Sequence, residues 1–478
     1  MSNIFYQPRG FSVFFLTEMC ERYGFYIVQT LLVLYLVEHF YLSDRESYSI
    51  LGSFTALAYI NPIVGGYIAD KILGAKRSII LGAMVMALGY VILALDLQLV
   101  QLFIGLGIIA VGTGLLKPNI SSLLGNLYEC GDPRRYAGYT LFYVGINIGI
   151  ILATGLGGYL HELVGWPLTY FIAALVLLLA GIIFCIGIAR YPIPERRVLY
   201  LRKWHYLQAV MWITITIAVN ILILKQEGLA DLAFALVAII SFLTVIYAGL
   251  TATPAIRAKL WAYLLLILVS MLFWALYFQI FLSMNLFIDR VVDRHLFGFE
   301  LPVSAFVSIE ALSLIVLGPI LSMLWRYQEQ RRRGFSVPFK FAAGMSMLAL
   351  AFALLWLSSY SINAAGQVLV GSLIWVYVSV ALGELMLSPT GLAMVTELVP
   401  DNLLGLMMGI FFVSLGLGAK LAGTIANCAA ISNRVNDLSA IISIYQHAFR
   451  LYFMIGGSVA LLSLLLIKPI RNLIGTTR

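Results

Sequence analysis

Charge is scarce in this sequence. Asp, Glu, Lys and Arg make up 11% of its 478 residues, against roughly a quarter in a soluble protein. Cysteine is scarce too. Cys20, Cys130, Cys185 and Cys428 stand far apart, three of them in apolar runs, and none forms a CxxC pair. Neither a disulfide framework nor a metal site is expected. His39, His161, His205, His295 and His447 are equally scattered, and HExxH does not occur. GxSxG is missing, which removes the nucleophile elbow of hydrolases. GxxxxGKS/T is missing, which removes an ATP-driven pump built on a P-loop. A membrane-embedded enzyme needs a nucleophile–base pair or metal ligands inside its spans. Neither pattern occurs, so no enzymatic activity and no cofactor are expected. The ~10-residue alternating segments of a membrane β-barrel are absent. No short apolar stretch with a small-residue cleavage site stands near the N-terminus, so no removed signal peptide is expected.

What the sequence holds instead is apolar length. It is 62% hydrophobic, with a mean hydropathy of +0.98. Apolar runs of roughly 18 residues or more recur throughout, each long enough to cross a ~30 Å hydrocarbon core. The expected class is an all-α membrane protein with about 14 transmembrane helices, the first near 11–37. The net charge of +8 invites a nucleic-acid reading, but its distribution argues for topology. With the N-terminus inside, about 21 Lys and Arg fall in inner segments and about five outside. The inner set includes Arg134, Arg135, Arg196, Arg197, Arg332, Arg333 and Arg478; the outer set is Arg45, Lys225, Arg290, Arg294 and Arg434. Both termini are therefore expected in the cytoplasm, and no nucleic-acid partner is expected.

The stretch RYPIPERRVLYLRKW (190–204) is the best linker candidate. The two runs after it, 205–224 and 229–250, hold few polar residues and are expected to face lipid as a hairpin. Six spans precede this insert and six follow. The expected domains are a bundle over 1–189, linker and hairpin over 190–258, and a second bundle over 259–478. Six plus six is the plan of the major facilitator fold, whose halves rock about a central cavity.

Charges inside the spans carry the functional signal. TEMCERYGFY (17–26) places Glu18, Glu21 and Arg22 within the first span. They lie ~12–18 Å from its start at 1.5 Å per residue. An ionised group there costs at least ~2.5–3.5 kcal/mol. Spacings of three and four put Glu18, Glu21, Arg22, Phe25 and Tyr26 along one side of the helix. Two readings stand: an ion pair that locks helix packing, or ionisable groups that serve transport. Three charges exceed what packing needs, which favours the second. Lys117 in GTGLLKPN, Asn147 in FYVGINIG, Glu310 in VSIEALSL, Glu384 in LGELMLSPTG and Lys420 in GLGAKLAG lie at similar depth. Buried ionisable groups of both signs in both halves imply a shared polar interior; Glu310 and Lys420 also fit a position near a water-filled mouth. In GGYIADKILGAKR (65–77), Asp70, Lys71, Lys76 and Arg77 can form a cytoplasmic charge cluster. It reads equally as a latch that breaks during rocking or as a positive-inside anchor.

Together these motifs resemble the proton-dependent oligopeptide transporter family of the major facilitator superfamily. The family pattern ExxERFxYY appears as Glu18-Met19-Cys20-Glu21-Arg22-Tyr23-Gly24-Phe25-Tyr26. YINPIVGGYIAD, GTGLLKPNISSLLG, FYVGINIG, FWALYFQ and GELMLSPTGLAMV follow in family order. The central hairpin is similar to that of the fourteen-span prokaryotic members. The resemblance implies proton-driven symport of di- and tripeptides across the bacterial inner membrane, without a cofactor, by a functional monomer. It implies that Arg22, Tyr26 and Lys117 face the peptide carboxylate, and that Glu384 and Asn147 face its ammonium. It makes Tyr59 and Trp274 pocket aromatics, with Ser388 one turn beyond Glu384. Glu18 and Glu21 become the proton-linked carboxylates, with Lys117 pairing one of them when no peptide is bound. Three positions depart from the pattern. Gln29 replaces a common Arg, Phe278 before Gln279 replaces a common Glu, and Glu310 stands where relatives often carry Asn. The first two weaken the case for a charged outer latch. The third suggests a bias toward cationic side chains or the peptide amine. A major facilitator carrier of another organic anion or nitrate is the alternative; a passive channel fits the unequal charges less well.

Overall fold

The computed structural model describes residues 6–96, 98–129, 132, 134–195, 202–296, 298–331, 334–432, 435 and 437–475. Cys130, Arg196, Arg197, Arg332, Arg333, Arg434 and Arg478 lie outside the described residues, as does the middle of the expected linker.

The chain is nearly all helix. The helices of the first half are α1 (Phe11–Glu38), α2 (Asp44–Ile60), α3 (Pro62–Ile68), α4 (Ala75–Ala94), α5 (Leu99–Leu124), α6 (Arg134–Ile151) and α7 (Gly157–Arg190). Next come the hairpin helices α8 (Lys203–Lys225) and α9 (Glu227–Thr251). The second half holds α10 (Pro254–Tyr277), α11 (Ser283–Val291), α12 (Val307–Gln330), α13 (Val337–Ser358), α14 (Leu373–Leu398), α15 (Leu404–Ala426) and α16 (Leu438–Ile474). Two small strand pairs accompany them: Val292–Asp293 runs parallel to Val368–Leu369, and His295–Leu296 runs antiparallel to Phe299–Glu300.

Twelve helical stretches among the described residues are long and apolar enough to cross a membrane. The sequence reading expects about fourteen, and the difference lies in two places. The 28-residue α1 is outside the twelve, and it carries the charges of the ExxER motif. The stretch Arg134–Arg190 counts once at 57 residues, yet its backbone breaks at Gly165, with φ 77 and ψ 175. That conformation suits glycine, and Pro167 restarts the helix beyond it.

Contacts divide the chain into two compact units, Met1–Tyr35 with Leu57–Leu229, and Leu36–Ala56 with Ala230–Arg478. In the first, α4 packs along α5 and α7, around Phe14, Ile79, Ala83, Leu116, Ile120 and Phe184. Helix α3 approaches α5 so closely that a Cβ on Gly65 would stand 1.9 Å from the Gly114 carbonyl oxygen. Glycine is what permits that contact. Helix α8 lies on α5, where the Asn220 amide donates to the Gly107 carbonyl at 3.2 Å.

In the second unit, α13 packs on α14 and α16, and α10 packs on α15. Phe287, Phe352, Tyr445, Phe449 and Tyr452 form its aromatic core. The segment from α2 belongs here: a Cβ on Gly52 would meet the Ala419 carbonyl at 3.0 Å. Asp44 accepts two 2.7 Å hydrogen bonds from Arg290 and one from the Ile431 backbone. Helix α9 is tied to α15 by Asp231 and Lys420 at 2.9 Å. Helix α8 leaves Val210 and Met211 exposed, and helix α9 leaves Ile239, Ile240 and Leu243 exposed. Exposed apolar side chains in this number on membrane-length helices are what a lipid-facing surface would carry.

Candidate functional site

The first cluster lies on α1 and α5, in the first unit. Glu18, Glu21 and Arg22 are 2%, 0% and 3% exposed. Their spacing on α1 forces them together: Arg22 Nε stands 3.3 Å from Glu18 Oε1 one turn back, and it donates to Glu21 Oε2. The guanidinium also lies 5.1 Å from the Phe25 ring centroid. Lys117 reaches the same place from α5. Its ammonium sits 4.5 Å from the Tyr59 ring and 5.9 Å from the Phe25 ring, and it acts electrostatically on Glu18, Glu21 and Arg22. No ion pair joins Lys117 to either carboxylate among the described residues, so the expected pairing is replaced here by a cation–π contact. Two carboxylates and two cations leave the quartet near zero charge. Glu18 Oε2 and Glu21 Oε1 are nevertheless buried with no hydrogen-bond partner.

Helix α6 is pressed against this cluster. A Cβ on Gly149 would stand 2.4 Å from the Met19 carbonyl and 2.9 Å from Arg22 Cβ. Two residues earlier, fully buried Asn147 donates to the Tyr143 carbonyl at 2.9 Å, and its Oδ1 lacks a partner. Tyr26 is half-buried beside Phe25, and Gln29 is buried one turn on.

The second cluster lies on α10, α12 and α14, in the second unit. Glu310 stands in the first turn of α12 and is 2% exposed. The Tyr277 hydroxyl donates to its Oε1 at 3.1 Å. Glu384, from the middle of α14, acts electrostatically on Glu310. Glu384 Oε2 is buried and unpartnered, as is Trp274 Nε1 at the end of α10. Trp274, Tyr277 and Phe278 pack at 4.9–5.7 Å between ring centroids. Ser388 follows one turn after Glu384, just before the helix-interior Pro389. Buried polar atoms without partners inside a membrane protein are costly. Six such atoms belong to expected site residues of the two clusters, and others lie elsewhere among the described residues, at Ser47, Ser78 and Asn427 for example.

Other expected residues have different surroundings. Gln279 donates to the Ala422 carbonyl at 2.9 Å and accepts from Ser283 at 2.7 Å. Both ends of its amide are taken up by protein, so here it ties the turn after α10 to α15 rather than presenting a group to a ligand. Lys420 pairs with Asp231 and reaches Ser53 at 3.3 Å, a tether rather than a free interior charge. Asp70, Lys71 and Arg77 are exposed, with Lys76 half-buried. Among the described residues no ion pair links Asp70 to these bases. The Lys76 backbone N–H instead donates to Glu195 at 3.0 Å, and Arg77 reaches the Leu73 carbonyl. Sequence reasoning missed Tyr277, although it lies inside FWALYFQ, and Tyr377, on which Glu310 acts electrostatically. No metal-binding cluster of His, Cys, Asp or Glu occurs among the described residues, and Cys20, Cys185 and Cys428 are free thiols.

A family model described as the POT family matches residues 76–441. The chain belongs to the POT family. Its POT relatives include dipeptide and tripeptide permease A of Cronobacter turicensis, 33% identical over 475 residues, covering 98% of this chain and 94% of that one. Permease A of Serratia proteamaculans is 32% identical, covering 97% of this chain and 91% of that one. Among solved POT-like structures, a bacterial homologue of the human drug peptide transporters PepT1 and PepT2 superposes with TM-score 0.85 at 25% identity, over 97% of this chain and 99% of that one. Tetrameric PepTSo2 superposes with TM-score 0.84 at 26% identity, also over 97% and 99%. The fold is thus the all-α, major facilitator type that the span pattern implied, in a multi-pass membrane protein of a transporter family and not an enzyme.

Proposed function

We propose that this protein is a proton-coupled symporter that imports di- and tripeptides by alternating access, needing no cofactor. It sits in the bacterial inner membrane with both termini in the cytoplasm and acts as a functional monomer, each chain holding a full set of site residues. The segment 190–258 is an accessory element beside the transporting halves 1–189 and 259–478.

The observation that carries this reading is the buried quartet of Glu18, Glu21, Arg22 and Lys117. Its charges balance. A peptide carboxylate bound by Arg22 and Lys117, with Tyr26 and Tyr59 beside it, adds one negative charge where an unbalanced charge costs several kcal/mol. A proton on Glu21 or Glu18 restores neutrality, and the unpartnered oxygens Glu21 Oε1 and Glu18 Oε2 are positioned to take it. Cargo and proton therefore enter together. The peptide ammonium goes to Glu384, with Asn147 as a further acceptor, and Glu310 adds a carboxyl at that end. Trp274 Nε1 supplies a donor for a peptide carbonyl, and Ser388 supplies a hydroxyl. The cytoplasmic set Asp70, Lys71, Lys76 and Arg77 serves as a gate element. Gln29 lines the route without charge, while Gln279 holds the helices beside it.

Competition against labelled Ala-Ala uptake in liposomes tests this. Unlabelled Ala-Ala competes, while N-acetyl-Ala-Ala, Ala-Ala amide and nitrate do not. Equal competition by the N-acetylated form or by nitrate would instead favour a general anion carrier.

A further inference from the structure

Helices α13 and α14 meet closely at Gly344 and Gly383, where a Cβ on either would stand 3.0 Å from the other's carbonyl oxygen. Beyond that meeting point, toward the end where α13 stops at Ser358 and α14 starts at Leu373, the two helices frame a crevice of about 480 Å³. This lies within the volume range of small-molecule sites. On α13 its wall is Leu350, Leu354, Leu357 and Ser358, with Ser361 just past the helix end. Spacings of three and four put them on one helix face. The facing wall is Ser372, Trp375 and Ser379, again three and four apart. Leu350 lies ~12 Å before the end of α13 at 1.5 Å per residue, so the crevice runs from an apolar depth to a hydroxyl-bearing rim. Leu357, Tyr360 and Trp375 are exposed beside that rim, and exposed aromatics near span ends mark the boundary between hydrocarbon and water.

The hydroxyls set the chemistry of the occupant. Ser358 donates to the Leu355 carbonyl at 3.0 Å, Ser372 to the Leu369 carbonyl at 3.4 Å and Ser379 to the Trp375 carbonyl at 2.8 Å. Each O–H is spent inside the protein, and what remains for a ligand is lone pairs. No charged side chain lines the crevice among the described residues. A fitting ligand therefore brings N–H donors, has no net charge and carries an apolar tail. We infer that this crevice binds a phospholipid with a primary-amine headgroup, of the phosphatidylethanolamine type. Its ammonium donates to Ser358, Ser361 and Ser372, and an acyl chain lies along Leu350, Leu354 and Leu357. Phosphatidylglycerol is anionic and finds no cation here; phosphatidylcholine keeps the ammonium charge but has no N–H. None of the expected peptide-binding or proton-linked residues lines the crevice, so the inference stands apart from the transport reading.

Two measurements test it. In native mass spectrometry of the unaltered protein, released from micelles with equal phosphatidylethanolamine, phosphatidylglycerol and phosphatidylcholine, one phosphatidylethanolamine per chain is retained ahead of the others. Retention falls stepwise as the amine is methylated, because each methyl removes a donor while the charge stays. Ser361→Ala and Ser372→Ala each weaken retention roughly tenfold, the loss of a hydrogen bond to a charged group. Ser361→Phe, at an exposed position, covers the rim and abolishes it. Equal retention of the ethanolamine and choline lipids, preference for phosphatidylglycerol, or retention that none of the three substitutions changes overturns the inference. In vesicles, phosphatidylethanolamine with a photoreactive acyl chain labels residues within 350–379. Labelling confined to other segments overturns it as well.

Discussion

Charge balance in the first cluster has an energetic consequence that mutation can isolate. Replacing Arg22 by Met removes the partner that lies 3.3 Å from Glu18 Oε1 and against Glu21. At that distance a unit charge pair attracts by roughly 5 kcal/mol at an effective dielectric of about 20. With both carboxylates almost wholly buried, little solvent screening reduces this. Breaking a buried pair on one side costs about 3–5 kcal/mol, because the remaining charge is stranded. Adding Glu21→Gln to Arg22→Met leaves Glu18 and Lys117, which again balance. The double variant is therefore expected to be more stable than Arg22→Met alone, with an interaction energy of roughly 2–3 kcal/mol, near the upper end for coupled neighbours. Reversible unfolding in mixed micelles of the parent, both single variants and the double variant measures this cycle. Additivity within about 0.5 kcal/mol would refute the idea that these charges act as one balanced unit.

Glu21→Gln is expected to lose accumulation driven by a pH gradient yet to retain exchange of internal for external peptide. An unmutated transporter gains ~1.4 kcal/mol, about tenfold accumulation, per coupled proton and pH unit; the variant should equilibrate labelled Ala-Ala near one-to-one. Lys117→Ala should weaken Ala-Ala binding and reduce its pH-driven accumulation together, read by competition and by uptake. Gln279→Ala should destabilise the fold by about 1–3 kcal/mol by leaving the Ala422 carbonyl without its donor, while the half-saturating Ala-Ala concentration stays put. A shifted half-saturation with unchanged stability would return Gln279 to the binding residues.

Local pattern carried much of the fold and part of the site. Apolar runs announce spans because each must satisfy its own backbone in lipid, and Glu18, Glu21 and Arg22 meet because residues three and four apart share a helix face. Long-range pairing is different. Asp44 meets Arg290 across 246 positions, and Lys420 finds Asp231 on a hairpin helix; nothing near either residue in sequence points to its partner. Gln279 looked like a ligand group because its neighbours in FWALYFQ match the family pattern, yet α15 supplies the carbonyl that occupies its amide. The span count differs at α1 and Gly165 for opposite reasons: functional charge lowers the apolar signal of the one, and a glycine turn inside a continuous apolar stretch hides the boundary of the other. A tyrosine among aromatics reads as packing, so the sequence does not single out Tyr277; its contact with Glu310 emerges only when α12 is folded against α10.

The central claim is that a buried, charge-balanced cluster admits a peptide carboxylate together with a proton. The most direct measurement is Ala-Ala uptake into liposomes of the unaltered protein with the lumen one pH unit more alkaline than outside, compared with no gradient. The expected result is accumulation well above the external concentration that collapses when a proton ionophore is added. Uptake that stops at the external concentration in both cases would contradict it.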